Sequence, residues 1–196
     1  MDKFYLEKPT LIRKMGVVNY INEFKGYSSN IPGTGPFYRL LDGISYEECL
    51  EEMEKLKNEE YALSANKCTA ETFLFIRKND DRIVGMINVR YSICDDLLSR
   101  GATHIGYSIR PTERKKGYNK IQLYLGLLEE QKLGEKRIII GCDMDNVPSN
   151  KSIIALGGEL FRTELDPYDN TYGNDYYIDV DKSIIKYKEV YEKYIS

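Results

Sequence analysis

Ile105-Gly-Tyr-Ser-Ile-Arg-Pro-Thr-Glu-Arg-Lys-Lys-Gly-Tyr-Asn-Lys120 is the stretch on which the fold of this chain turns. Ile105, Tyr107 and Ile109 alternate with small or polar residues, the period of a strand, which we place over Thr103 to Arg110. Pro111 ends it, because proline has no N–H for a ladder. Arg114-Lys-Lys-Gly-Tyr-Asn119 follows at once and opens a helical pattern. The first N–H groups of a helix have no partner within it, and the helix dipole adds partial positive charge at that end. Gly117 lets a ligand approach the backbone, and Arg114, Lys115 and Lys116 raise the local potential. Strand, basic turn and helix N-terminus together read as a pyrophosphate cradle.

The turn Arg114-Lys115-Lys116-Gly117-Tyr118-Asn119 resembles the acetyl-CoA signature of the GCN5-related N-acetyltransferases (GNAT), Gln/Arg-x-x-Gly-x-Gly/Ala. Its first and fourth positions match; Asn119 stands where the family has a small residue. One helix and one strand downstream, Cys142-Asp-Met-Asp-Asn146-Val-Pro-Ser149 and the Gly157-Gly158 pair resemble the family's second cofactor segment, with Asn146, Ser149 and Gly157 at its spacing. Asn146 carries both a donor and an acceptor for the amides of a pantetheine arm. Pro148 and Ser149 suit a helix start, and Gly157 a helix end.

The resemblance implies an α/β fold of the α+β type: a mixed, mostly antiparallel central sheet flanked by helices. It also implies acetyl transfer from acetyl-CoA to a primary amine. The pyrophosphate would lie on backbone amides from Lys115 to Lys120, assisted by Arg114 and Lys116. The pantetheine arm would follow the strand backbone from Ser108 to Arg110 and meet Asn146. A backbone N–H near Ile109 would hold the oxyanion, and Gly117, Tyr118, Asn119 and Ser149 complete the expected cofactor set. His104 is the nearby side chain that titrates near neutral pH and is the candidate base or substrate contact. Many relatives protonate the leaving thiolate with a tyrosine seven places after the asparagine; here that place is Ile153. Tyr118, Tyr172, Tyr176 and Tyr177 are possible replacements. A non-catalytic acyl-CoA-binding module of the same fold is the alternative reading.

The chain's composition fits that picture. Its 196 residues suit one domain over 1–196. We divide it into a helical part over 1–70 shaping the acceptor pocket, a cofactor-binding core over 71–180, and a C-terminal helix over 181–196. A net charge of −3 argues against a nucleic-acid binder, and no apolar run is long enough to span a bilayer. Four scattered cysteines and one histidine make no metal set, and they suit reduced thiols in a cytoplasmic protein. The expected partner is a small-molecule or peptide amine, with a tyrosine-rich last helix that suits a homodimer. Gly101-Ala-Thr-His-Ile-Gly106-Tyr-Ser108 has P-loop glycine spacing, but Tyr107 replaces the required lysine.

Local patterns give the remaining elements. Lys8–Phe24 reads as a helix with Leu11, Met15, Val18, Ile21 and Asn22 on one side, followed by a loop over Gly26–Pro36. Ser45 and Glu48 form a capping box for a helix to Asn58. Thr72–Arg77 and Arg82–Tyr91 read as a hairpin. A helix over Tyr118–Leu133, a strand over Lys136–Cys142, a helix over Ser149–Leu156, strands over Glu159–Glu164 and Tyr172–Val180, and a helix over Asp181–Ile195 follow. The Asp166–Gly173 turn, the first two helices and the Gly26–Pro36 loop are the candidate acceptor cover.

Overall fold

The computed structural model describes residues 1–27, 31–99, 101–165 and 170–196. Four antiparallel strands form the first sheet, in the order β1 (Phe4–Glu7), β2 (Thr69–Arg77), β3 (Arg82–Tyr91) and β4 (Ile105–Ile109). Three more form a second antiparallel sheet in the order β5 (Arg137–Asp143), β7 (Tyr172–Asp179) and β6 (Glu159–Leu165). The expected antiparallel, helix-flanked architecture is present, and the sheet is split between β4 and β5.

The N-terminal 70 residues are not purely helical. β1 pairs with the end of β2, Phe4 opposite Arg77 and Glu7 opposite Leu74. Four residues are too few to show a period, and their partner lies roughly 70 residues away. The helix expected from Lys8 starts later: a 3₁₀ turn at Leu11–Arg13 leads into α1 (Lys14–Tyr27). Its buried face is Val17, Tyr20, Ile21 and Phe24, while Leu11 and Met15 are 63% and 68% exposed. The aromatic pair Tyr20 and Phe24, packed ring against ring, sets the rotation of the helix on the sheet. Residues 28–30 of the expected loop lie outside the described residues; Gly35–Asp42 is a 3₁₀ helix that buries Phe37.

α2 (Tyr46–Lys55) carries the predicted capping box in both directions, Ser45 Oγ accepting from Glu48 N–H and Glu48 accepting from Ser45 N–H. The short helices α3 (Glu59–Ser64) and α4 (Asp95–Ser99) are additions to the sequence reading. α5 (Tyr118–Lys132), α6 (Val147–Ala155) and α7 (Val180–Tyr191) fall close to their predicted spans. α1, α2 and the Gly35–Asp42 turn cover one face of the first sheet around Leu74, Ile76, Ile83 and Met86. α5, α6 and α7 cover the other face around Phe75, Ile87, Ile105 and Ile138. Residues 166–169 of the Asp166–Gly173 turn are outside the described residues. Among the described residues no helix is long and apolar enough to cross a membrane.

Candidate active site

The two sheets touch at a single point and then part. His104 N–H donates to the Ile139 carbonyl at 2.8 Å, and Ile139 N–H donates back to His104 Nδ1 at 3.1 Å. The imidazole thus replaces the next rung of the ladder. Its Nδ1 must be unprotonated to accept that bond, which fixes the Nε2–H tautomer. Burial pushes the His104 pKa below its ordinary value, outweighing Glu135, whose carboxylate lies 4.0 Å from Nε2. His104 is buried at the apex of the split and does not line the cleft beyond it.

Strand parity aims the free edge of β4 at that cleft. Arg90 N–H donates to the His104 carbonyl, Arg110 N–H donates to the Val84 carbonyl, and Gly106 and Ser108 stand opposite Asn88 and Met86. Within β4 the even-numbered residues therefore bond back to β3. Ile105, Tyr107 and Ile109 turn their N–H and C=O groups outward, towards β5. The cleft between the strands encloses about 850 Å³ and runs from Gly106 and Gly141 to the basic turn.

At the turn, a 3₁₀ segment (Pro111–Glu113) leads to Lys115 at φ 65° and Gly117 at φ 80°, both left-handed. Alternating hands along successive residues make backbone N–H groups converge into an anion-binding concavity. A Cβ on Gly117 would meet nothing within 4 Å, so the backbone there is open to a ligand. Lys116 is drawn away: its Nζ bonds Glu113 Oε2 at 2.7 Å. Burial pushes the Glu113 carboxyl up, but Lys116 and Arg77 outweigh it and hold the group below its ordinary value. Arg114 Nε donates to the Ile109 carbonyl at 3.3 Å, and its guanidinium lies over the Phe24 ring.

The opposite wall comes from the β5–α6 junction. Asn146 caps α6, its Oδ1 accepting from Ser149 N–H at 3.3 Å. Asn150 holds the junction in shape. Its Nδ2 donates to the carbonyls of Asp143 and Asn146, and its Oδ1 accepts from Asn174 Nδ2 and the Tyr176 hydroxyl. Across the cleft floor the Tyr107 hydroxyl and Ser149 Oγ are 2.7 Å apart. Asn119 Nδ2 bonds Ser152 Oγ at 3.2 Å, so its extra bulk bridges α5 to α6.

Ser108, Ile109, Arg114, Lys115, Gly117, Tyr118, Asn119, Lys120, Asn146 and Ser149 all line this cleft. Arg110 and Lys116 do not. Arg110 turns to α1, where Nη1 bonds Glu23 at 3.2 Å. Ile153 is fully buried among apolar neighbours. Tyr118 spends its hydroxyl on Asp2 and Arg77, and Tyr176 on Asn150. Tyr177 stacks on Phe161, and Tyr172 is exposed.

Solved structures with this arrangement are acetyltransferases. The ribosomal-protein-S5-alanine acetyltransferase of Vibrio fischeri superposes with a TM-score of 0.67 at 16% identity, over 92% of this chain and 95% of that one. An acetyltransferase of the GNAT family from Bacillus anthracis gives 0.58 at 17% identity, over 92% and 99%. The fold is that of the GCN5-related N-acetyltransferases. A further GNAT-like neighbour, the microcin C7 self-immunity acetyltransferase in complex with acetyl-CoA and AMP, gives 0.61 at 18% identity, over 91% and 93%. No family profile and no curated protein matches the sequence.

Within this GNAT fold, three residues at or behind the cleft were not legible in the sequence: Tyr107 lines it, while Asn150 and Asp175 support its β5 side. Tyr107 looked like a core strand position, and its hydroxyl gives no local signal. Asn150 fell inside the helix expected over Ser149–Leu156, with no local sign of its partners. Asp175, on β7 opposite Gly141, belongs to the site only through that pairing.

Proposed function

We propose that this chain is an acetyl-CoA-dependent N-acetyltransferase that acetylates a primary amine. The observation that carries the reading is one continuous cleft. It joins an open, left-handed basic turn at a helix N-terminus to the outward edge of β4 and to the capped start of α6.

The residues divide the work. Backbone amides from Lys115 to Lys120 receive the pyrophosphate, with Arg114, Lys115 and Lys120 on the cleft wall. The outward edge of Tyr107 and Ile109 bonds the pantetheine amides, and Asn146 Nδ2 adds a donor from the other side. The thioester supplies an acyl carbon open to direct attack. The Ile109 N–H stabilises the oxyanion; such a fixed donor is worth about 10²–10³ in rate. The acceptor gives a proton to solvent, its nitrogen forms the C–N bond, and the C–S bond breaks. The products are the amide, the thiol form of coenzyme A and one proton.

Ile153 leaves no hydroxyl at the family's acid position, which is what favours the non-catalytic alternative. Tyr107 answers it. Its hydroxyl meets Ser149, one helical turn before Ile153 on the same face of α6. Burial raises the Tyr107 pKa well above its ordinary value, so it acts as a hydrogen-bond donor to the departing thiolate rather than as a ready proton source. His104 is assigned to positioning: it pins the apex that sets the angle between β4 and β5.

The test is coenzyme A thiol release followed with acetyl-CoA and a panel of primary amines. Release that depends on the amine, with an acetylated product of matching mass, is the expected result. Binding of acetyl-CoA without release for any amine would leave the non-catalytic module standing instead.

A further inference from the structure

On the face turned to the 31–34 segment, each lip of the split presents a bare Cα. A side chain on Gly106 of β4 would meet Arg90 Nη2 at 3.0 Å and the Gly33 backbone nitrogen at 3.3 Å. One on Gly141 of β5 would meet Asp175 Oδ1 at 2.5 Å and Thr103 Cγ2 at 3.3 Å. Both glycines also line the cleft, so this face is where an acceptor would reach the acyl carbon.

Arg90 is unlike the other buried and half-buried arginines. Arg13 is matched by Glu7 and Asp81, Arg77 by Glu113, and Arg110 by Glu23. Arg90 bonds only neutral acceptors: Asn88 Oδ1 at 2.9 Å, and the Thr103 carbonyl and Oγ1 at 2.8 and 3.3 Å. Among the described residues no carboxylate pairs with it and Nη2 has no acceptor. Burial pushes its pKa down, a sign of the same uncompensated charge. Glu130 lies close enough to favour the charge, but neither of its oxygens bonds the guanidinium. A half-buried guanidinium with no ion-pair partner and one unbonded nitrogen gains by pairing with an anion.

Asp175 has the complementary vacancy. Arg162 occupies Oδ2 alone, through Nε at 2.8 Å and Nη2 at 2.6 Å. Oδ1 accepts no bond among the described residues and overhangs Gly141. Two groups of opposite sign thus stand behind the two lips of the cleft: Gly106 and Gly141 line it, and Arg90 Nη2 and Asp175 Oδ1 lie directly against those glycines without lining it themselves.

We propose that the acceptor is an amine that also carries an anionic oxygen group, a carboxylate or a phosphate. Its ammonium sits on Asp175 Oδ1 and its anion on Arg90 Nη2. The proposal rests on the transferase reading above and names its substrate class.

Matched amines test it, each assayed with acetyl-CoA: methionine against methioninamide, β-alanine against β-alaninamide, phosphoethanolamine against ethanolamine, and spermidine as a polycation. Wild type is expected to favour at least one anionic member by roughly 10–100-fold in kcat/KM over its neutral-tailed partner. The pair that shows the preference tells carboxylate from phosphate. Arg90→Gln should erase the preference, Arg90→Lys should keep part of it, and Asp175→Asn should lower both members of a pair alike. All three should keep the acetyl-CoA-induced melting shift, which also shows that they fold. Should Arg90→Gln fail to fold, Arg90→Lys and Asp175→Asn carry the comparison. Turnover that prefers amides or spermidine, or a preference that survives the loss of Arg90, would overturn the substrate class while leaving the transferase. Acetyl-CoA binding with no turnover of any amine would overturn both.

Discussion

Glu130→Gln is expected to raise the melting temperature at pH 7 by roughly 6–12 °C, from about 3 kcal/mol of added stability. Glu130 sits on α5 at 0% exposure, and neither carboxyl oxygen has a hydrogen-bond partner. Burial pushes its pKa from 4.5 to about 9; Glu135 adds to the rise and Arg90 opposes it. A raised folded pKa means that the native state keeps a proton the unfolded chain releases. Stability from this group is therefore complete below about pH 4.5 and drains away as the pH climbs towards 9. Glutamine has the shape of the protonated acid and nothing to ionise. Melts of the two proteins should coincide near pH 5 and separate steadily up to pH 8. A constant difference across that range would mean that Glu130 is ionised and paired in solution.

Tyr107→Phe should lower kcat by roughly 10²-fold while the KM for acetyl-CoA changes little. The substitution deletes one hydroxyl and keeps the ring in the core cluster that also holds Ile105, Ile121 and Ile140. Its stability cost is about 1 kcal/mol, the worth of one hydrogen bond to Ser149. A purely structural hydroxyl would show that stability loss with kcat intact. A donor to the leaving thiolate would show the opposite weighting, largest for acyl donors with poor leaving groups. Ser149→Ala tests the same geometry from α6 and should give a smaller loss, because Tyr107 keeps its hydroxyl.

The parts of the fold that were legible in the sequence are those whose cause is local. Ser45 and Glu48 satisfy each other within one turn, so the capping box announces α2 unaided. The period of Ile105, Tyr107 and Ile109, the stop at Pro111 and the glycine at 117 place β4 and α5 within a residue or two. β1 escaped because its reason to be a strand is residues 74–77, not its own four side chains. Arg110 and Lys116 were expected at the cofactor because they stand beside the turn. Glu23 from α1 draws off Arg110 from 87 residues away, which spacing cannot place, whereas Glu113 takes Lys116 through a local pair three residues apart that the sequence offered and the reading passed over. His104 was expected to do chemistry because it titrates near pH 7. Its role at the apex depends on Ile139, 35 residues later. Arg90 and Asp175 are the sharpest case. Each sits at an unremarked strand position, and only the pairing of Asn88 with Gly106 and of Gly141 with Asp175 sets them behind the glycines that line the cleft.

The most direct test of the account is a thermal melt with and without acetyl-CoA, for wild type and Gly117→Trp. Gly117 faces open space, so an indole there projects over the cradle, while the left-handed φ of 80° costs about 1–2 kcal/mol of baseline stability. Acetyl-CoA at about 100 times its dissociation constant should add roughly 2.7 kcal/mol to wild type, a shift of about 5–10 °C. The shift should vanish in a folded Gly117→Trp. No shift in wild type at millimolar acetyl-CoA, or an equal shift in both proteins, would contradict the cradle and the function built on it.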